Sequence, residues 1–215
     1  MSEHRKIWLI SIFTFVILHG LLMQVRGAIL PRVQEFFTVS QSMLGLVSPA
    51  ATVGFLTSIL VIGLSAGRID IKKFFMGSVF ILTVATFLVG LSTNYYMFLL
   101  LLLITGLATG VFRALDKPVL SHLYPENRGW IFSIHTAVWG IGAALGPLFV
   151  NQVLIFGDWR LTYLILAFTF IPVFLVLWRN DPPRQASGER ALSWKRLLVI
   201  VRDPVMLTIF GALIL

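Results

Sequence analysis

The sequence predicts an all-α membrane protein: six transmembrane helices, arranged as two inverted three-helix repeats, with the start of a seventh. Three observations carry this reading. First, 58% of the 215 residues are hydrophobic and only 12% are charged, against about 45–50% and about 25% in a typical soluble domain. Second, the apolar residues fall into runs of the length that crosses a bilayer, about 20 residues. Third, Lys and Arg crowd into alternate loops, as they do in multi-pass membrane proteins. With a mean hydropathy of +0.92, the chain carries more apolar surface than a soluble domain of this size can hide. A soluble enzyme, a nucleic-acid binder and a disordered chain are excluded on that ground. There is no Cys, so disulfide and thiol chemistry are excluded too.

The spans are expected at residues 7–30, 42–66, 74–91, 95–120, 130–156 and 161–178. The first is preceded by His4, Arg5 and Lys6 and superficially resembles a signal peptide. Its apolar run is too long for one, and no Ala-x-Ala cleavage site follows, so it reads as a retained helix. Gly and Pro within the spans are no objection, being frequent in membrane helices. Asn180-Asp181-Pro182-Pro183 ends the sixth span, because proline cannot continue a helix. Three segments follow from this: a bundle over 1–179, a cytoplasmic loop over 180–203, and the truncated start of a seventh helix over 204–215. Within the loop, residues 192–201 mix apolar side chains with Lys195 and Arg196. They read either as a short amphipathic helix on anionic lipid or as a plain linker. The final apolar run is too short to span, so the chain looks cut in mid-helix.

Orientation follows from the cations. With the N-terminus inside, twelve Lys and Arg lie on the cytoplasmic side and three on the outer side, leaving Arg113 and Lys117 within the fourth span. A multi-pass protein of the plasma or inner membrane with a cytoplasmic N-terminus is expected. The net charge of +8 is thereby explained by topology, without nucleic acid.

The spans repeat. Arg26 and Pro31 recur as Arg113 and Pro118, 87 residues later, and Asp70-Ile71-Lys72 recurs as Asp158-Trp159-Arg160 at an offset of 88. Spans one to three and four to six are therefore two copies of one unit. An odd number of crossings per copy inverts the second relative to the first. Inverted repeats are a transporter architecture with a site near the bilayer midplane.

Charge inside the membrane is costly and marks pathways. Spans two, three and six contain no acid, base or histidine; spans one, four and five carry His19, Gln24 and Arg26, then Arg113, Asp116 and Lys117, then His135 and Asn151. His19 and Arg26, seven apart, share a helix face. Arg113, Asp116 and Lys117 at i, i+3 and i+4 share another, so Asp116 should pair with one of the two cations. Arg26 and its repeat mate Arg113 place a cation on either side of the midplane. Such a cavity favours an anion, because guanidinium matches carboxylate or phosphate. The structural alternative is that Arg26 snorkels to the interface and Arg113–Asp116 is a scaffold pair. His135, as an imidazole within a span, is a candidate carrier of a coupling proton, or a histidine bonded within the bundle. Asp116, near two cations, should stay ionised in the resting state. Trp139, one turn from His135, lines the same cavity or packs.

Several local patterns resemble the N-terminal half of a major facilitator superfamily transporter. Gly63-Leu64-Ser65-Ala66-Gly67-Arg68-Ile69-Asp70-Ile71-Lys72-Lys73 is similar to the family signature between helices two and three. It is one residue short between Gly67 and Asp70 and lacks the glycine after the aspartate. Pro125-Glu126-Asn127-Arg128-Gly129, Asp158-Trp159-Arg160 and Gly142-x-x-x-Gly146-Pro147 are also family-like. The last departs from the antiporter motif at Val150 and Asn151. The resemblance covers the whole chain. It implies two six-helix bundles in the complete transporter, spans three and six at the lipid-facing periphery, and a central cavity bordered by spans one and four. It also implies a conformational latch built from Gly63, Gly67, Arg68, Asp70, Lys72 and Lys73, in which the glycines let the second span approach a neighbour closely and Asp70 accepts hydrogen bonds from a helix N-terminus or pairs with Arg. Gly106, Gly110, Gly142, Gly146 and Pro147 are read as helix-packing positions, where small residues let backbones meet.

The expected activity is alternating-access transport of a small solute, an organic anion or drug-like compound, with protons as candidate coupling ion. Symport, antiport and uniport stay open. The expected partners are the lipid bilayer, a small-molecule substrate, and a missing C-terminal half or second copy. The alternative is a half-transporter without activity of its own. No enzyme, cofactor, metal or nucleic-acid partner is expected. Gly63-Leu64-Ser65 abuts a basic loop, and His135 lacks the glycine context of rhomboid-type intramembrane serine proteases. Neither His-Glu-x-x-His nor a phosphate-binding Gly-Lys-Ser/Thr occurs.

Overall fold

The computed structural model describes residues 3–65 and 69–180. The 192–201 segment, the 204–215 run, Gly67 and Arg68 lie outside them. Eight helices make up the described chain: α1 (Glu3–Ala28), α2 (Leu30–Phe37), α3 (Gln41–Leu44), α4 (Val47–Ser65), α5 (Ile71–Gly90), α6 (Tyr95–Leu123), α7 (Arg128–Phe156) and α8 (Arg160–Arg179). Six segments are long and apolar enough to cross a membrane, and they coincide with the six expected spans. Two short helices are additional. α2 continues past the expected end of the first span, with Pro31 in its first turn, where a missing N–H costs nothing. It stops at Thr38, whose φ of 54° is left-handed. α3 is a single turn capped by Ser40.

Local chemistry sets the starts of the later helices. The Asp70 carboxylate accepts from the Lys73 backbone N–H at 3.2 Å, and the Asn94 side chain accepts from the Met97 N–H at 2.8 Å. Both satisfy donors that a helix N-terminus leaves open. Pro118, Pro147 and Pro172 lie inside helices without ending them. Several buried hydroxyls, those of Ser58, Ser78, Thr83 and Thr105, donate to a carbonyl of the preceding turn, Thr83 to that of Val79 at 2.8 Å, because hydrocarbon offers no other acceptor.

The two largest helix–helix interfaces are α4 on α6 and α1 on α7. Each joins the first helix of one repeat to the second helix of the other. Glycine makes both possible. A Cβ on Gly54 would lie 2.2 Å from the Leu103 carbonyl oxygen, and one on Gly142 would lie 2.1 Å from that of Ile17. The two glycines are 88 apart (142 − 54), the repeat offset. Gly106 and Gly110 meet the Ala51 and Phe55 backbones, while Gly146 meets Gln24. Pro147 beside it faces outward. Gly63 differs: a Cβ there would meet nothing within 4 Å. The close approach expected of this residue is absent, because it sits near the end of α4, past the last tight crossing on α6.

α5 packs on α6 and α8, and α8 also packs on α1. Phe15, Phe112, Phe170 and Phe75 pack together with tilted rings, the Phe15 and Phe112 centroids 4.3 Å apart. At the bundle end where α1 begins, the Trp8 indole N–H donates to the Asn180 carbonyl at 3.3 Å. At the opposite end Phe36 and Phe37 of α2 pack on Trp159. Arg160 lies over the Phe36 ring at 4.0 Å and donates to the Ser92 carbonyl at 2.6 Å. α4 and α7 are the least covered helices, with 28% and 17% of their apolar windows buried against 50% for α5. Each leans on one main neighbour, whereas α5 leans on two.

Candidate functional site

Two polar groups occupy the bundle interior. The first is carried by α6 and α7. Asp116 is fully buried, and one carboxylate oxygen, Oδ2, lies 3.3 Å from Arg113 and 3.0 Å from His135 Nε2. The histidine approach is close but oblique, so Nε2 makes no directed hydrogen bond among the described residues. Asp116 Oδ1 accepts the Lys117 backbone N–H at 2.6 Å. The Lys117 side chain is exposed and makes no ion pair among the described residues. The sequence left Arg113 and Lys117 as alternative partners for Asp116; the structure selects Arg113. The Arg113 guanidinium also lies 5.9 Å from the Trp139 ring centroid, a cation–π geometry. The Trp139 indole N–H is buried without an acceptor among the described residues.

His19 reaches toward this group from α1. It is buried beside Phe112, ring centroids 6.0 Å apart, and neither ring nitrogen has a partner among the described residues. Buried polar atoms are ordinarily satisfied. Unsatisfied nitrogens on His19 and His135, and the Trp139 N–H, therefore concentrate unused hydrogen-bonding capacity where α1, α6 and α7 meet. Gln24 and Asn151 are exposed and join neither polar group.

The second group lies toward the other end of the bundle. Arg26, on α1, lines a cavity of about 270 Å³ with Thr52 and Phe55 of α4, Thr105 and Thr109 of α6, and Tyr163 of α8. Among the described residues the guanidinium bonds only to Met23 Sδ, at 2.8 Å, and a thioether is a weak acceptor. No carboxylate pairs with it among the described residues. Tyr163 was not singled out from the sequence, where a tyrosine at a span end reads as an interfacial anchor. The threonines had a legible signal: Thr105, Thr109 and Arg113 recur at intervals of four along one face of α6.

Of the expected latch, the described residues are Gly63 near the end of α4, Asp70 before α5, and Lys72 and Lys73 in its first turn. Asp70 caps α5, and its carboxylate lies 3.4 Å from the Lys73 ammonium. The Lys73 backbone hydrogen bond is the chief cause holding the Asp70 carboxyl below its ordinary pKa. Lys72 is half-buried. Among the described residues, no group of three or more His, Cys, Asp or Glu side chains could hold a metal.

The chain is similar to known proteins in sequence and in fold. The chain is 26% identical over 153 residues to the multidrug efflux pump SdrM of Staphylococcus aureus (strain N315), covering 70% of this chain and 34% of that protein. It is 30% identical over 167 residues to the uncharacterised MFS-type transporter YfiU of Bacillus subtilis (strain 168), covering 76% and 32%. The chain thus spans about a third of the length of these relatives. In structure it resembles a bacterial homologue of the human lysosomal transporter Spinster, in an inward-facing and unoccupied conformation. The TM-score is 0.78 at 18% identity, over 99% of this chain and 50% of that one. The profile of the Major Facilitator Superfamily matches residues 10–215. With six spans, exchanged repeat interfaces and this match along nearly its whole length, the chain belongs to the Major Facilitator Superfamily.

Proposed function

We propose that this chain is the N-terminal bundle of a secondary transporter that moves a small organic anion by alternating access, together with a proton, with its N-terminus in the cytoplasm. The carrying observation is the buried Asp116 carboxylate held between Arg113 and His135. With His135 neutral, Arg113 and Asp116 cancel and the group has no net charge. A proton on His135 leaves the group with one positive charge in a low-dielectric interior. An anionic cargo then stabilises the proton, and the proton stabilises the cargo, by the same free energy. This reciprocity favours symport. The orphaned nitrogens of His19 and Trp139 are donors for the cargo. Asp70, Lys72 and Lys73, with Gly63, Gly67 and Arg68, serve as the latch that favours one conformer. The uncovered faces of α4 and α7 suit a second bundle, either a C-terminal half or a second copy. A drug-like cargo is the alternative, favoured by the similarity to a multidrug efflux pump.

Sealed proteoliposomes test this reading. They would hold either the 215-residue chain or a form extended through any downstream reading frame, and phenylacetate, phenylacetamide and a cationic dye would be offered under an imposed pH gradient. Uptake of phenylacetate driven by inward protons, and lost in His135→Gln and Asp116→Asn, is expected. Gradient-driven movement of the dye alone would instead establish the drug-like reading.

A further inference from the structure

We infer that the cavity between α1, α4, α6 and α8 is a carboxylate-binding subsite for an amphiphilic monoanion, with Arg26 and Tyr163 as its recognition pair. The inference rests on the transporter reading but concerns a place and residues which that reading does not use.

The first argument is unbalanced charge. Arg26 presents a guanidinium to a cavity between helices of the bundle, with a thioether as its only partner among the described residues. Arg26 is half-buried, and leaving a cation in such a setting without a counter-charge is costly. Its repeat mate, Arg113, avoids that cost through Asp116. An anion supplied from outside the chain would do the same for Arg26.

The second argument is the balance of donors and acceptors. Tyr163 is 1% exposed, and its hydroxyl has no partner among the described residues. The hydroxyl of Thr109, on the α6 wall, also has no partner among them. Thr105 and Thr52 already donate to the Leu102 and Ser48 carbonyls. The cavity therefore offers a fork of guanidinium donors and two unused hydroxyls, and no acidic side chain lines it. A cation would meet Arg26 unfavourably. A pure hydrocarbon would leave the Tyr163 hydroxyl and most of the guanidinium donors unsatisfied. A planar carboxylate accepts from Arg26 in two parallel bonds and from a hydroxyl besides.

The third argument is the remaining wall. Leu22, Phe55 and Leu102 supply carbon surface, and the volume is at the small end for a ligand pocket. This suits an acid with a compact apolar body rather than a sugar phosphate or a dianion.

The test is equilibrium binding of radiolabelled phenylacetate to the purified protein in lipid nanodiscs, with no gradient imposed. Phenylacetate should bind, and phenylacetamide and inorganic phosphate should compete at least about tenfold less well, since only the carboxylate makes the charge-assisted fork. Tyr163→Phe keeps volume and ring and should weaken binding roughly threefold to tenfold by loss of one hydrogen bond. Arg26→Gln should weaken it more than tenfold, and Arg26→Lys, which keeps charge but not the fork, should fall between. Unchanged thermal unfolding of Tyr163→Phe would show that its loss of binding is local. Equal competition by the amide or by phosphate, or wild-type binding in both Tyr163→Phe and Arg26→Gln, would overturn the inference. Proton-driven phenylacetate transport that ignores both substitutions would sink this subsite and leave the transporter reading standing. Binding that depends on both residues, without proton-driven transport, would do the reverse.

Discussion

Arg26 and Arg113 occupy matching places in two copies of one three-helix unit, yet their surroundings are opposites. Arg113 is neutralised within its own helix by a fully buried aspartate, which a histidine from α7 also approaches. Arg26 looks into a cavity with a sulfur atom for company. The comparison shows that duplication preserves where a backbone passes, while the chemistry carried there diverges. The same holds for the loop acids Asp70 and Asp158. Asp70 caps α5 with a direct hydrogen bond. Asp158 does not cap α8, whose N-cap is Trp159 without a side-chain bond, and reaches Arg160 only at 3.9 Å.

The sharpest way to break the contrast is to remove charge at each arginine site and follow thermal unfolding in detergent. Asp116→Ala leaves Arg113 uncompensated and should cost about 3–5 kcal/mol, the usual penalty for breaking a buried pair. Arg26→Met removes a charge that has no partner and should be neutral or stabilising. Equal losses at the two sites would show that Arg26 has a counter-charge after all.

A smaller effect tests what the repeats share. Gly54→Ala and Gly142→Ala each drive a methyl group into a partner backbone, at 2.2 and 2.1 Å. Each should cost about 1–3 kcal/mol, as overpacking does, and the two losses should match. Gly63→Ala, with open space around it, should cost much less. Strongly unequal losses at Gly54 and Gly142 would mean that the two interfaces do not bear load symmetrically.

The smallest effect belongs to the loop acids. Asp70→Ala should lower the unfolding temperature slightly, and Asp158→Ala less. Because the Asp70 carboxyl is held below its ordinary value by the Lys73 N–H, its contribution is present at neutral pH. It fades as pH falls through the lowered value. Asp70→Asn keeps a cap and should remove that part of the acid sensitivity, measured as unfolding temperature against pH.

Much of the fold was legible because each span must satisfy its own backbone in hydrocarbon, so apolar run length translates directly into helices. α2 was not, since eight residues that include Arg32, Gln34 and Glu35 are too short and polar to register as a span. In the polar interior, Arg113 and Asp116 announce their contact through i, i+3 spacing. The approach of His135 to Asp116 joins two helices, and nothing in either helix alone specifies which faces will turn together. The Gly63 expectation failed for a related reason. A small residue permits a close crossing, but only the path of the neighbouring helix decides whether one occurs. Tyr163 was hidden by its position, where interfacial tyrosines are commonplace.

The bond from Trp8 to the Asn180 carbonyl joins the first turns of α1 to the residue that follows α8. It holds entrance and exit of the described bundle side by side. Six crossings return a chain to the leaflet from which it set out, whereas three do not. Parity thus sets what each unit becomes when copied: the three-helix unit makes an upside-down sibling, and the six-helix unit an upright one. A second bundle joined at this seam would need a tether long enough only to step sideways, never one that must itself traverse the lipid.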